Sequence, residues 1–125
     1  MMVPVFDSNI LIDFLQGLPQ AKEEFDLYEE KMISRITWME VMIGVKDPSH
    51  EDLVRSFLAS FSVMDIDSGI SNEAVNIRRG SKIRLPDAII LATARCHNAI
   101  LVTRNTRDFK EDSPEVRVPY VTVRK

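Results

Sequence analysis

The sequence predicts an α/β fold of parallel βαβ units, with a sheet covered by helices on both faces. Three observations predict it. Short apolar runs alternate with longer stretches whose apolar residues recur at helical spacing. The runs are separated by these predicted helices and not by tight turns, so the connections are crossovers and the strands lie parallel. The 125 residues, 45% of them hydrophobic, fit one domain spanning 1–125 with a core that needs no staples.

Val3–Phe6 reads as a short buried strand, followed by a helix from Ser8 to Gln16. Pro19 to Glu30 reads as a second helix and Met32–Ile36 as a second strand. Trp38–Val45 is a short helix. Pro48 to Ser60 is an amphipathic one, in which Leu53, Val54, Phe57, Leu58 and Phe61 recur at helical spacing. Val63–Ile66 is a strand, Ser68 to Arg79 a helix, Ala88 to His97 a strongly apolar helix and Ile100–Thr103 a strand. Pro119–Val123 is expected to be the last strand, its proline suiting a start or an edge position.

Composition narrows the function. A single cysteine, Cys96, excludes an internal disulfide and suits a reducing cytoplasm. The opening MMVPVFDSNILIDF has no basic leader and is interrupted by Asp7 and Asp13, unlike a signal peptide. No apolar run approaches the roughly 20 residues of a membrane span. A net charge of −3 argues against a non-specific nucleic-acid coat, which is normally basic, but allows an enzyme that meets nucleic acid through a local patch.

In open α/β sheets the site lies beyond the carboxyl ends of the strands. There the sequence places Asp7, Ser8 and Asn9 after the first strand, Thr37 and Glu40 after the second, Asp65 and Asp67 at the third, and 104–108 after the fourth. Asp87 opens the helix that leads into the fourth strand. Each acid has a local explanation. Asp7 suits an N-cap for the helix at Ser8. Thr37-Trp38-Met39-Glu40 matches a capping box, although its neighbours make an unusually apolar place for an acid. Asp87 follows Pro86 in a first helical turn, where the helix dipole favours it. Turn chemistry accounts for Asn105 and Asp108. Local explanations do not account for their gathering at one rim, where carboxylates repel and raise one another's pKa. A divalent cation relieves that repulsion. Mg²⁺ takes few protein carboxylates, keeps waters and bridges phosphate oxygens. The matching chemistry is hydrolysis at phosphorus, with one or two ions.

Taken in order, Asp7-Ser8-Asn9-Ile10-Leu11-Ile12, Glu40 in its apolar helix, the run from Leu85 to Ala94 with Asp87, and the run from Leu101 to Phe109 resemble a PIN-domain ribonuclease. The likeness is greatest to the toxins of VapBC-type toxin–antitoxin pairs and covers essentially the whole chain. It implies a three-layer α/β fold and Mg²⁺- or Mn²⁺-dependent endoribonuclease activity on single-stranded segments of RNA, often of tRNA or rRNA. It implies a homodimer and a small antitoxin that wraps the toxin and blocks its site. Carried over by position, Asp7, Glu40 and Asp87 are metal ligands, and Ser8 supports them. Many family members carry a fourth acid where this chain has Asn105. Asparagine can orient a water or bind a metal through its carbonyl, and Asp108 can supply the missing charge; wound as one helical turn, the loop would put both on one face, so either could reach the pocket.

Arg78, Arg79, Lys82 and Arg84 precede Asp87, and Arg104 and Arg107 flank Asn105; these suit phosphate contacts or an ordinary solvated surface. Trp38, Met39 and Met42 suit core packing or a groove for a partner helix. Cys96 and His97, adjacent on a helix, point apart and offer no zinc site with His50 distant. A phosphatase of the haloacid dehalogenase type would need an acid where Asn9 stands. A receiver domain would need an acidic pair near Asp7 and a lysine where Arg104 stands. The remaining alternative is a PIN-like scaffold that binds RNA or protein without cleaving.

Overall fold

The structure is a computed structural model, described here for residues 3–122. The chain runs β1 (Val5–Phe6), α1 (Ser8–Leu15), α2 (Pro19–Phe25), β2 (Met32–Ser34), α3 (Arg35–Ile43), a 3-10 turn (Pro48–His50), α4 (Glu51–Leu58), β3 (Ser62–Met64), α5 (Ser68–Gly80), α6 (Leu85–Cys96), β4 (Leu101–Val102) and β5 (Val116–Arg117). The strands form one sheet in the order β3-β2-β1-β4-β5, and every pairing is parallel. β1 lies at the centre, with Val5 opposite both Met32 and Leu101.

The strands are short, yet they divide the core cleanly, because successive side chains point to opposite faces. Val5, Met32 and Leu101 pack with Ile70, Ala74 and Ile77 of α5 and Ala88, Ile90 and Leu91 of α6. Phe6, Ile33 and Val102 pack on the other face with Ile10 and Leu11 of α1, Phe25 of α2 and Leu58 of α4. The result is three layers. On the second face Phe6 meets Phe25 edge-on at 5.0 Å between centroids, and Phe25, Phe57 and Phe61 continue the cluster. Such pairs add about 0.5–1.5 kcal/mol each beyond area burial.

Several predicted boundaries shift. β2 stops at Ser34, whose hydroxyl accepts from the Ile36 amide and caps α3. Thr37 therefore lies inside the helix and is no cap, so the predicted capping box with Glu40 does not form. α2 ends at Phe25, five residues before the predicted Glu30. Leu53 is 71% exposed and stands outside the core its spacing suggested. Trp38 and Met42 pack partly buried against the second-face core, with Arg35 and Arg55 5.5 and 5.3 Å from the indole centroid; Met39 is exposed. Cys96 is an exposed free thiol, and His97 Nδ1 lies 3.0 Å from the Thr93 carbonyl.

The last strand is at Val116–Arg117 and not at Pro119–Val123. Residues 119–122 are irregular, and Val123 lies outside the described residues. Arg117 explains the placement: its guanidinium donates to both oxygens of Glu24, at 2.6 and 2.9 Å, and so ties β5 to α2. No helix among the described residues is long and apolar enough to cross a membrane.

Candidate active site

Asp7 closes β1 at the carboxyl end of the sheet and caps α1. Its Oδ1 accepts from the Ser8 amide at 2.7 Å. Its Oδ2 accepts from the Thr103 hydroxyl at 2.6 Å and from Asn9 Nδ2 at 3.3 Å. Thr103 follows β4, the strand beside β1, so this contact is a direct consequence of the sheet order. Asp7 is 4% exposed. Burial drives its carboxyl above the usual range; the Thr103 and Ser8 hydrogen bonds pull it back, the Glu40 charge adds to the rise and the Arg104 charge offsets it.

Glu40 stands on α3, the helix packed beside α1. Its Oε1 accepts from the Ser8 hydroxyl at 2.5 Å, and Thr37 Oγ1 lies 3.3 Å from the same hydroxyl oxygen. Glu40 is thus joined to the site through Ser8, from inside its helix and not from a cap. Asp87 sits in the first turn of α6, after Pro86, as the helix-start pattern predicts. Its Oδ2 is buried and has no hydrogen-bond partner among the described residues; Arg84 Nη2, at 3.8 Å, is too far to supply one. Its carboxyl is pushed up to about 6, first by burial, then by the charge of Asp7, with Arg84 opposing and Asp108 adding to the rise.

In the loop after β4, Asn105 and Asp108 are hydrogen-bonded to each other. Phe109 N donates to the Asn105 carbonyl, so the segment winds as a single turn. Asn105 Nδ2 donates to Asp108 Oδ2 at 3.1 Å, and the Asp108 amide donates back to Asn105 Oδ1 at 3.2 Å. The side chain of Asn105 is occupied in holding Asp108, and the Asp108 carboxyl adds to the rise at Asp87 through its side-chain hydrogen bonding and then its charge. The Asn105 amide donates to Thr103 Oγ1, which links the loop to Asp7.

A cavity of about 980 Å³ opens beside these acids, lined by Asn9, Arg84, Arg104, Asn105, Thr106, Arg107 and Asp108. Arg84 and Arg107 are exposed on its wall. Arg104 is not available in the same way, because its guanidinium donates to both oxygens of Asp13 at 2.6 and 2.7 Å. Arg78, Arg79 and Lys82 are exposed but do not line the cavity.

Two contributors escaped the sequence reading, Thr103 and Asp13, and the sequence places Asn9 at the rim without a role. A polar residue closing a buried strand is the signal for Thr103, comparable to that for Asp7. Nothing local marks the role of Asn9 or Asp13, whose partners lie far along the chain.

Among the described residues, no three His, Cys, Asp or Glu side chains group closely enough to enclose a metal ion by themselves. The donors suit a hard cation that keeps water. Mg²⁺ is usually held by one or two carboxylates and by substrate phosphate, not by an all-protein cage. The buried, unpartnered oxygen of Asp87 beside the charge of Asp7 is the kind of group such a cation satisfies, so the residues present fit one.

A profile of the PIN domain family matches residues 5–111. The chain belongs to the PIN-domain family. Among known proteins, the PIN domain is 29% identical over 117 residues to a tRNA(fMet)-specific endonuclease VapC of Shigella flexneri, covering 85% of this chain and 89% of that protein. Among solved structures, it superposes with a TM-score of 0.88 and 44% identity on a chain of a toxin–antitoxin complex from Klebsiella pneumoniae, covering 94% of this chain and 98% of that one. A chain of DNA-bound VapBC from Salmonella typhimurium gives a TM-score of 0.78 at 27% identity, over 94% and 96% of the two chains. The family match spans β1 through the loop after β4, so it includes Asp7, Glu40, Asp87, Asn105 and Asp108 and leaves Val116 onward outside.

Proposed function

We propose that this protein is a metal-dependent endoribonuclease, the toxin of a toxin–antitoxin pair, acting in the cytoplasm on RNA with Mg²⁺ or Mn²⁺ held by Asp7 and Asp87 together with water and substrate phosphate, and with Glu40 joined to them through Ser8. The observation that carries the reading is the buried Oδ2 of Asp87, without a hydrogen-bond partner among the described residues, on a carboxyl raised first by burial and then by the charge of Asp7. Initiator tRNA is the first substrate to test, because the Shigella flexneri relative is an endonuclease specific for it. A small antitoxin and a second copy of the chain are the partners of this reading.

The ion, when bound, polarises the scissile phosphate and makes water acidic enough to attack near neutral pH. The chain's own residues do the rest. Ser8, Asn9 and Thr103 fix both oxygens of Asp7, so the carboxylate keeps one orientation. Ser8 orients Glu40. Asp108, held by Asn105, stands where it can take the proton that water loses as its oxygen bonds to phosphorus. The phosphorus–oxygen ester bond on the far side breaks, and its oxygen takes a proton from solvent. Arg84 and Arg107 line the cavity through which the backbone phosphates pass.

The test is cleavage of tRNA and of single-stranded RNA in Mg²⁺, in Mn²⁺ and in EDTA, by the wild type and by Asp7→Asn. Cleavage that stops in EDTA and in the variant supports the reading. Cleavage that persists in either removes the metal mechanism, and wild-type protein that binds RNA without cutting it points to the scaffold alternative.

A further inference from the structure

Arg104 immediately precedes Asn105, at the exit of β4, and its guanidinium is committed to an acid on another element. Nε and Nη2 donate to Asp13 Oδ2 and Oδ1, a two-pronged contact between side chains that are 19% and 7% exposed. Paired, planar geometry of this kind is far more orienting than a single surface ion pair. Tyr120 completes it, its hydroxyl donating to Asp13 Oδ2 at 2.8 Å. Asp13 belongs to α1, the helix that Asp7 caps, while Tyr120 lies in the irregular segment after β5.

The main chain of Arg104 carries the consequence. Its amide faces Asn9 Oδ1 at 3.4 Å, and Asn9 Nδ2 touches both Asp7 Oδ2 and Thr103 Oγ1 at 3.3 Å. The loop from Thr103 to Asp108 is therefore held at two ends. Phe109, 3% exposed, anchors one end in the core, and the Arg104 contact anchors the other. Between them lie Asn105 and Asp108, whose placement against Asp87 depends on both anchors.

We propose that Asp13 and Tyr120 are positioning residues that act through Arg104 to seat the 103–108 loop on Asp7. Arg104 is then a brace for the site and not a phosphate contact, and the segment after β5 takes part in the activity although it touches none of the acids at the reacting centre. Tyr120 lies beyond residue 111, where the family match ends, while Asp13 and Arg104 lie within it. The kinetic side of the inference rests on the nuclease reading; the metal-binding side does not.

The test compares the wild type with Tyr120→Phe, Asp13→Asn, Arg104→Met and Arg104→Lys. The readouts are kcat and KM on an RNA the wild type cleaves, the salt dependence of RNA binding, and Mn²⁺ affinity by titration of its paramagnetic resonance signal. Asp13→Asn and Arg104→Met are expected to lower kcat by about tenfold or more with KM within about twofold, as a displaced catalytic group does. Arg104→Lys keeps the charge and one hydrogen bond and recovers part of the loss. Tyr120→Phe, which removes one bond and no charge, gives a smaller fall of the same kind. Mn²⁺ affinity falls in the same order. A rise in KM with unchanged kcat, and a salt slope reduced by about one in Arg104→Met, makes Arg104 a phosphate contact and overturns the proposal. A lowered melting temperature with kcat and Mn²⁺ affinity intact also overturns it, since the contact would then serve stability alone. Should the wild type cut no RNA, the nuclease reading fails and Mn²⁺ affinity decides this inference by itself. Should Arg104→Met not fold, Tyr120→Phe and Arg104→Lys decide it.

Discussion

Thr103 donates its hydroxyl proton to Asp7 across 2.6 Å of space and ninety-six residues of chain. Both are buried, and each closes one of the two strands at the middle of the sheet, so register alone brings them together. A carboxylate at that depth stays ionised only while such donors face it.

Thr103→Val is therefore expected to push the Asp7 carboxyl further up and to weaken Mn²⁺ binding. RNA cleavage at pH 7 falls about tenfold or more, by the arithmetic in which about 1.4 kcal/mol is a factor of ten. Thr103→Ser restores the hydroxyl and most of the rate. Titration of Mn²⁺ into both variants is the check. Equal affinity in Val and Ser variants would show that the hydroxyl carries no weight.

Asp87 sets a pH dependence of known sign for the metal-free protein. Its folded carboxyl titrates near 6, against about 3.9 for an unfolded aspartate. A group raised on folding favours the fold below its unfolded pKa and loses that contribution as pH rises through its folded pKa. The metal-free protein thus loses Asp87's share of stability between about pH 4 and pH 6. Asp87→Asn abolishes cleavage, yet in EDTA at pH 7.5 it melts a few degrees above the wild type, and the gap closes towards pH 4. Melting curves at both pH values in EDTA decide it; a variant less stable than the wild type at pH 7.5 contradicts the repulsion described here.

Cation binding at the proposed site is expected to reverse that repulsion. Mg²⁺ at about a hundred times its dissociation constant stabilises the fold by about 2.7 kcal/mol through mass action, and binding releases protons below about pH 6. The melting temperature of the wild type rises with Mg²⁺, and that of Asp87→Asn rises much less. A rise of the same size in both proteins would place the cation elsewhere.

Arg84 and Arg107 stand on the cavity wall, while Arg78 and Arg79 lie outside it. Neutralising Arg84 and Arg107 to Gln is expected to weaken RNA binding and to flatten its salt dependence by about one unit of slope for each phosphate no longer neutralised. Arg78→Gln with Arg79→Gln should have the smaller effect. Binding measured across a salt series separates the two pairs, and equal effects would mean that the RNA path runs over α5 as well.

The helices and the parallel order were legible because burial on both faces leaves strands as plain apolar runs, even strands as short as Val5–Phe6 and Leu101–Val102. The placement of Asp7, Asp87, Asn105 and Asp108 at the strand-end rim was legible because each follows a strand or opens a helix, whereas the bonding of Asn105 to Asp108 was not. The capping box at Thr37 was misread: Ser34 is an equally good cap, and the choice depends on where pairing with β3 ends. β5 was misplaced because Val116–Arg117 is too short to show a pattern, and its position is fixed by a bond from Arg117 to Glu24, ninety-three residues away. The brace of Asp13, Arg104 and Tyr120 left no local trace for the same reason: its members are polar residues whose sense lies in partners found only after folding.

The sheet order has a consequence for synthesis. β1 and the first acid are made well before the strand that pairs beside them and supplies Thr103, ninety-six residues after Asp7. A growing chain carries Asp7 and then Glu40 through a long stretch of translation before the neighbour that seats Asp7 is made. A ribosome that stalls before β4 is expected to leave Asp7 without Thr103, so the site assembles only once β4 has been made.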